Sequence, residues 1–234
     1  MLILKSLLFT FYYLRVSYRN YIPLAIFLIL FHYAINNIGS FFIIFVFFVI
    51  YLIVSAPISV NIFRSILKNK ILENSYFNFY YETYTKLFLK KLFILISSIV
   101  GIYIAILIIL SPFLSKDIAN MTLSLYLIFL YIIYIYTRLF FILPGAALNK
   151  SYSLKDSYNL TKGYSIKIYL FYVSLILPYV FLSSLLTEFS SVFNPLTIVT
   201  ISFVFQIFFS VLSTSIIGYL YKDVIEKKNH NINF

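Results

Sequence analysis

Six apolar runs, each near the length needed to cross a bilayer, fall roughly over residues 21–37, 41–63, 92–112, 121–143, 166–187 and 196–220. A helix needs about 20 mainly apolar residues to span roughly 30 Å of hydrocarbon. Lipid offers backbone amides no partner, so a continuous apolar run of this length closes its hydrogen bonds within itself, as a helix. The expected fold is an all-α polytopic membrane protein: one membrane domain over residues 1–234 with six transmembrane helices. The first run is the weakest, with Pro23 near its start and His32, Asn36 and Asn37 near its end, so five spans is the alternative. Composition agrees with a chain held in lipid. At 62% hydrophobic and 11% charged, it has too little charge to cover a water-soluble surface.

A formal net charge of +11 invites a nucleic-acid partner, and the placement of the charges decides against one. With six spans, 17 of the 18 Lys and Arg residues fall on one side: 15 before the first run, after the last or in alternate connections, and Arg138 and Lys167 flanking one of those connections. The other side keeps only Lys116, beside Asp117, and the acid Glu188. Positive residues collect on the cytoplasmic side of membrane proteins. This pattern predicts both termini in the cytoplasm of an inner, or plasma, membrane and needs no nucleic acid. A cleaved signal peptide fits poorly, because Lys5 interrupts the first apolar stretch and further basic residues follow it. The external connections are too short for a domain.

Three basic segments precede the odd-numbered spans. Over 5–19, helical spacing puts Leu7, Phe11, Leu14 and Tyr18 on one face and Lys5, Tyr12, Arg15 and Arg19 on the other, the pattern of a helix lying among headgroups. Residues 75–91 suit a helix too, with Glu82 and Lys86 as an i,i+4 pair and Tyr76, Tyr80, Thr83 and Leu87 on one side. The third is the stretch from Arg138 to Lys167. If each leads into a membrane hairpin, the chain is three repeats of an interfacial helix plus two spans; Arg19 to Lys91 is 72 residues and Lys91 to Lys167 is 76. The candidate membrane-surface residues are Lys5, Arg15, Arg19, Lys86, Lys90, Lys91, Lys155 and Lys162.

Motifs that carry chemistry are missing. No Cys is present, the two His lie far apart, and the seven acids show no ligand spacing, so no metal is expected. Neither a dinucleotide nor a phosphate-binding glycine loop occurs, and no nucleophile elbow. The expectation is a protein that is not an enzyme and takes no cofactor. Buried polar groups in the spans are the rival clue. Gln206 is the most central and is flanked by Thr200, Ser202 and Ser210; an interhelical hydrogen bond is the ordinary role for such an amide. Together with Ser174, Asn61 and Arg138, Gln206 and Thr200 would line the polar cavity of a transporter or channel for a small solute or lipid. A lipid-modifying enzyme is a third reading, requiring acids and Arg138 to converge.

In the stretch from Arg138 to Lys167, the arginine comes about 17 residues into the fourth run, so it either snorkels to the boundary or turns inward to a polar partner. Pro144 and Gly145 then break the helix. Ser153 and Asp156 form a Ser-x-x-acid cap, Gly163 is suited to a left-handed stop, and between them a membrane-parallel helix of about ten residues is expected. Arg138, Pro144 and "SYSLKDSYNLTKGYSIKIYL", with the terminal "STSIIGYLYKDV", resemble the pattern of uncharacterised bacterial YciC-type inner-membrane proteins and of the related membrane domain fused to some glycerophosphodiester phosphodiesterases. The resemblance covers mainly the last 100 residues. It departs at Ser157 and in the lack of Ala- and Leu-rich spans. It implies a six-span all-α domain; the phosphodiesterase's metal and His motifs are not present, so that activity does not carry over. The expected role is non-enzymatic: a membrane protein whose basic helices engage lipid headgroups, anionic ones above all, in envelope organisation or as a scaffold for a partner. Neither a protein partner nor a homo-oligomer is specified by the residues.

Overall fold

The computed structural model describes residues 2–27, 29–30, 41–69, 82–110, 118–188 and 194–232, and the described residues contain no strand. Helix α1 covers Leu2–Ser17, and a 3-10 turn follows over Tyr18–Tyr21. Five long helices carry the apolar runs: α2 (Phe41–Leu67), α3 (Thr83–Leu110), α4 (Ile118–Leu139), α7 (Ser165–Glu188) and α8 (Pro195–Ile232). Two short helices, α5 (Ile142–Ala147) and α6 (Leu154–Leu160), stand between α4 and α7. Five segments are long and apolar enough to cross a membrane: Phe45–Leu67, Thr83–Ile109, Ser124–Ala147, Ser165–Leu186 and Thr197–Ile225. The described residues are thus helical throughout their regular structure, with the long apolar helices of a membrane protein. The first apolar run is helical over 22–27 and 29–30, and its remainder lies outside the described residues.

The spans divide into inner and outer ones. Within their most apolar windows, 44% of Ser124–Ala147 and 39% of Thr197–Ile225 is buried in the protein, against 6% each for Thr83–Ile109 and Ser165–Leu186. Helices α2, α4 with α5, and α8 therefore form the centre, and α3 and α7 flank it. The main core gathers Val60 and Phe63 of α2, Phe140 to Ala147 around α5, and Ile216, Leu220 and Tyr221 of α8. A second core joins α1 and the turn after it (Tyr13, Tyr21, Leu24) to Ile58, Ile62 and Val211.

Helix α1 forms where expected, and the face that it buries is neither the apolar nor the basic one but a third between them. Its buried residues are Ser6, Thr10, Tyr13 and Ser17, while Leu4, Leu8, Phe11 and Tyr18 are exposed. Lipid tails are as apolar as Leu, so in a bilayer nothing drives Leu inward, and small polar residues let backbones approach and bond. Accordingly α1 lies against α8, with Phe9 meeting Tyr219 edge-on and Phe11 beside Phe208. The segment 75–91 is corrected as well. Residues 75–81 lie outside the described residues, but 83–91 are the opening turns of α3 and not a separate interfacial helix. Glu82 pairs with Arg64 at 2.6 Å instead of Lys86, and Thr85, not Thr83, is buried. At 28 residues, α3 is about 42 Å long and outruns a hydrocarbon core of roughly 30 Å; Lys86, Lys90 and Lys91 occupy the excess.

Prolines fall where the backbone tolerates them. Pro195 opens α8 directly after Asn194, whose carbonyl accepts from the amides of Thr197 and Ile198. Pro178 lies inside α7, as Pro57 does inside α2, without ending either helix.

Candidate functional site

Pro144 has no amide hydrogen, so the carbonyl of Phe140 cannot receive the bond that a regular helix would give it. Leu143 donates to Phe140 instead, at 3.0 Å, and this shift takes from the carbonyl of Leu139 the donor that a regular helix would give it, at a buried point of the chain. The hydroxyl of Ser157 lies 3.0 Å from the Arg138 carbonyl and 2.8 Å from that of Leu139, so it can donate to either, and the Thr161 hydroxyl lies 3.3 Å from the Arg138 carbonyl. Helix α6 therefore repairs the backbone where α4 breaks. Ser157, singled out as a departure from the family pattern, is fully buried for this reason.

The arginine itself turns inward. Arg138 is 6% exposed; its Nε donates to Thr161 Oγ1 at 2.8 Å and its Nη2 to the Tyr158 carbonyl at 2.8 Å. Its guanidinium stacks 3.8 Å from the centre of the Tyr158 ring. No carboxylate takes part in these contacts, so a cation is held by neutral dipoles and a π face, which costs less for the weakly hydrated guanidinium than for an ammonium.

Local signals fix the rest of the stretch. Asn149, at φ 62, ends α5 in the left-handed region, with Lys150 N–H donating to Gly145 O and Asn149 N–H to Ala146 O, a Schellman stop. Ser153 and Asp156 close the anticipated capping box, each backbone N–H bonded to the other's side chain. Those two donors from Ser153, its N–H first and then its hydroxyl, hold the Asp156 carboxyl below the usual carboxylate range. Gly163, at φ 87, follows α6 as the left-handed residue expected there. A Cβ at Gly145 would overlap the ring of Tyr152, whose hydroxyl lies 3.4 Å from that of Tyr221 on α8.

A second arginine repeats the arrangement. Arg64, 8% exposed at the end of α2, pairs with Glu82 and lies 4.1 Å from the centre of the Tyr84 ring. Tyr84 is 20 residues after Arg64, and Tyr158 is 20 residues after Arg138. Sequence reading had no access to Arg64 as a clamp, because its partners lie across a loop. Further ties gather the basic ends: Lys222 to Asn69 at 2.6 Å, Lys167 to Asp223 at 3.5 Å, and Lys91 with Lys155 close enough to act on Asp156. The end of α2, the start of α3, the end of α4, the start of α7 and the later turns of α8 thus meet at one end of the bundle. Of the surface candidates, Lys5, Arg15, Arg19, Lys86, Lys90, Lys155 and Lys162 are exposed and Lys91 is half-buried.

The intramembrane candidates scatter. Asn61 is buried at 3% exposure near the end of α2, accepting from Ser65, and Arg138 is locked as described. Ser174 is exposed and donates to its own helix at Phe171 O, and Thr200 is exposed as well. Gln206, for which an interhelical bond was the ordinary expectation, is exposed and lines a groove of about 290 Å³ between α7 and α8 with Tyr179, Ser183 and Ser202. Among the described residues no three His, Asp or Glu side chains come together as a metal site would require. No family model matches the chain, and no curated protein and no solved structure matches it.

Proposed function

We propose that this is a non-enzymatic six-span protein of a bacterial inner membrane, both termini cytoplasmic, whose basic face engages anionic lipid headgroups in an envelope or scaffold role. The observation that carries this reading is the exposure of seven of the eight cations Lys5, Arg15, Arg19, Lys86, Lys90, Lys91, Lys155 and Lys162, with Lys91 half-buried, on a chain whose other basic helix ends are tied together. Each cation near an anionic surface contributes about 1 kcal/mol, so the set is worth far more than any single contact. Six spans, not five, are supported by the start of the first apolar run: Tyr21 and Leu24 share a core with Ile58 and Ile62, and Phe27 meets Phe47 nearer the other end of α2, the course of an antiparallel hairpin. A threefold repeat is supported by Thr10, Thr85 and Thr161, all fully buried at the head of their units and separated by 75 and 76 residues. Kinship with the YciC-type proteins is part of the same reading and rests on the residues quoted above.

The test is enrichment of anionic lipid around the protein in mixed nanodiscs, with all eight cations reversed in sign. Enrichment should fall to the bulk composition; enrichment equal to wild type refutes the proposal. The transporter reading retains one supporting feature, the groove under Gln206. It predicts that Gln206→Leu abolishes a solute flux in proteoliposomes, whereas a structural amide predicts no flux to lose.

A further inference from the structure

Helix α8 belongs to the centre of the bundle only toward its C-terminal end. Its buried residues lie between Val211 and Val224, and none of the described side chains from Asn194 to Ser210 is buried. Gln206 sits in that uncovered stretch as the tenth residue of the span Thr197–Ile225. It stands about 14 Å along the helix from the start of the span, near the middle of a hydrocarbon layer roughly 30 Å thick. Its carboxamide borders the groove between α7 and α8, is exposed, and makes no hydrogen bond among the described residues. A carboxamide carries two donors and an acceptor oxygen. Lipid tails can satisfy neither, so an unpaired amide at this depth is costly.

From this amide we infer that the groove is an interface between two copies of this chain, in which Gln206 of one copy pairs with Gln206 of the other. Depth and chemistry both select a second copy. Copies of one chain insert with the same orientation, so a two-fold axis along the membrane normal sets each residue opposite its counterpart at the same depth. Such an interface has to be self-complementary. A carboxamide is, because each N–H can donate to the other's carbonyl oxygen, whereas a charged side chain would meet its like. A lipid acyl chain brings no polar group to this depth and leaves the amide unpaired. Ser202, one turn away on the same wall of the groove, flanks the pair, and its small side chain lets the two backbones approach. None of the eight peripheral cations takes part, so this interface stands or falls separately from the proposed role of the basic face.

Stepwise photobleaching of the full chain, carrying one fluorophore and diluted into proteoliposomes at falling protein-to-lipid ratios, tests the inference. The wild type should pass from dimer to monomer on dilution. Gln206→Leu should shift that transition about tenfold toward monomer, the scale of two hydrogen bonds within a membrane, and Gln206→Asn, which keeps a carboxamide, should recover part of the shift. Val204→Ala changes an exposed side chain of the same helix that points about 200° away, and should leave the transition in place. The chain has no Cys, so Ser202→Cys supplies a lone thiol in the groove with Gln206 retained. On oxidation it should give an intermolecular disulfide, and Ile104→Cys, at an exposed position of α3, should not. A wild type that is monomeric at every dilution overturns the inference, as does a transition that Gln206→Leu leaves unmoved or a disulfide formed as readily at Ile104→Cys as at Ser202→Cys. Should Gln206→Leu fail to insert, the two thiol variants still decide.

Discussion

Arg138 has two jobs that lysine could not share. Its planar fork reaches Thr161 and the Tyr158 carbonyl together while its face stacks on the Tyr158 ring, and an ammonium on a flexible stem reproduces neither. Arg138→Lys should therefore cost about 1.5–3 kcal/mol, the value of a lost charge-assisted hydrogen bond, and lower the melting temperature in micelles; an unchanged melting curve would remove Arg138 from the clamp. Gly145 is demanded by the Tyr152 ring above it and not by backbone freedom. Gly145→Ala should destabilise by about 1–3 kcal/mol through overpacking. Combining it with Tyr152→Ala should recover part of that loss, since contacting residues couple, and strict additivity of the two changes would show that the ring is not the obstacle.

At the scale of elements, α6 is seven residues long and too short to persist on propensity alone; its caps and its bonds to the broken end of α4 keep it. Asp156 gives it a pH signature. A carboxyl whose pKa is depressed by folding adds stability above its ordinary value, near 4, and loses that contribution as pH falls through the depressed folded value. Hydrogen-exchange protection of α6 should hold from neutral pH down to about 4 and decline below it. In Asp156→Ala the same protection should be weaker at neutral pH and insensitive across the acid range, and a matching acid decline in that variant would assign the effect elsewhere. Both caps were legible from Ser153, Asp156 and Gly163 because capping is local chemistry. The orientation of α1 was not, since its spacing allows either face and only the neighbour that it meets selects Ser6 and Thr10.

For the molecule as a whole, the ties among Arg64, Glu82, Asn69, Lys222, Lys167 and Asp223 put the basic helix ends at one pole. If that pole faces the cytoplasm as proposed, a reporter fused at Lys116 should be reached from outside the cell while one at Lys150 is not; a cytoplasmic reporter at Lys116 would overturn the proposed topology. The pairing of an arginine with a tyrosine 20 residues on, seen at Arg64 and again at Arg138, suits a chain built of repeating units. Removing the Tyr84 ring should loosen the start of α3 as removing the Tyr158 ring loosens α6.

By itself the sequence determined the class of the fold, the approximate limits of five apolar helices and the caps of α6, because each follows from local chemistry or from the energy of putting a residue in lipid. Tertiary structure decided which face of α1 is buried, that 83–91 belong to one long helix, that Arg138 turns inward, and that Gln206 borders a groove. These outcomes depend on what lies opposite each residue: a carbonyl freed by Pro144, a tyrosine one loop away, a neighbouring helix close enough to require small side chains. No spacing along the chain encodes such partners, since the bilayer rewards an outward Leu as readily as an inward one.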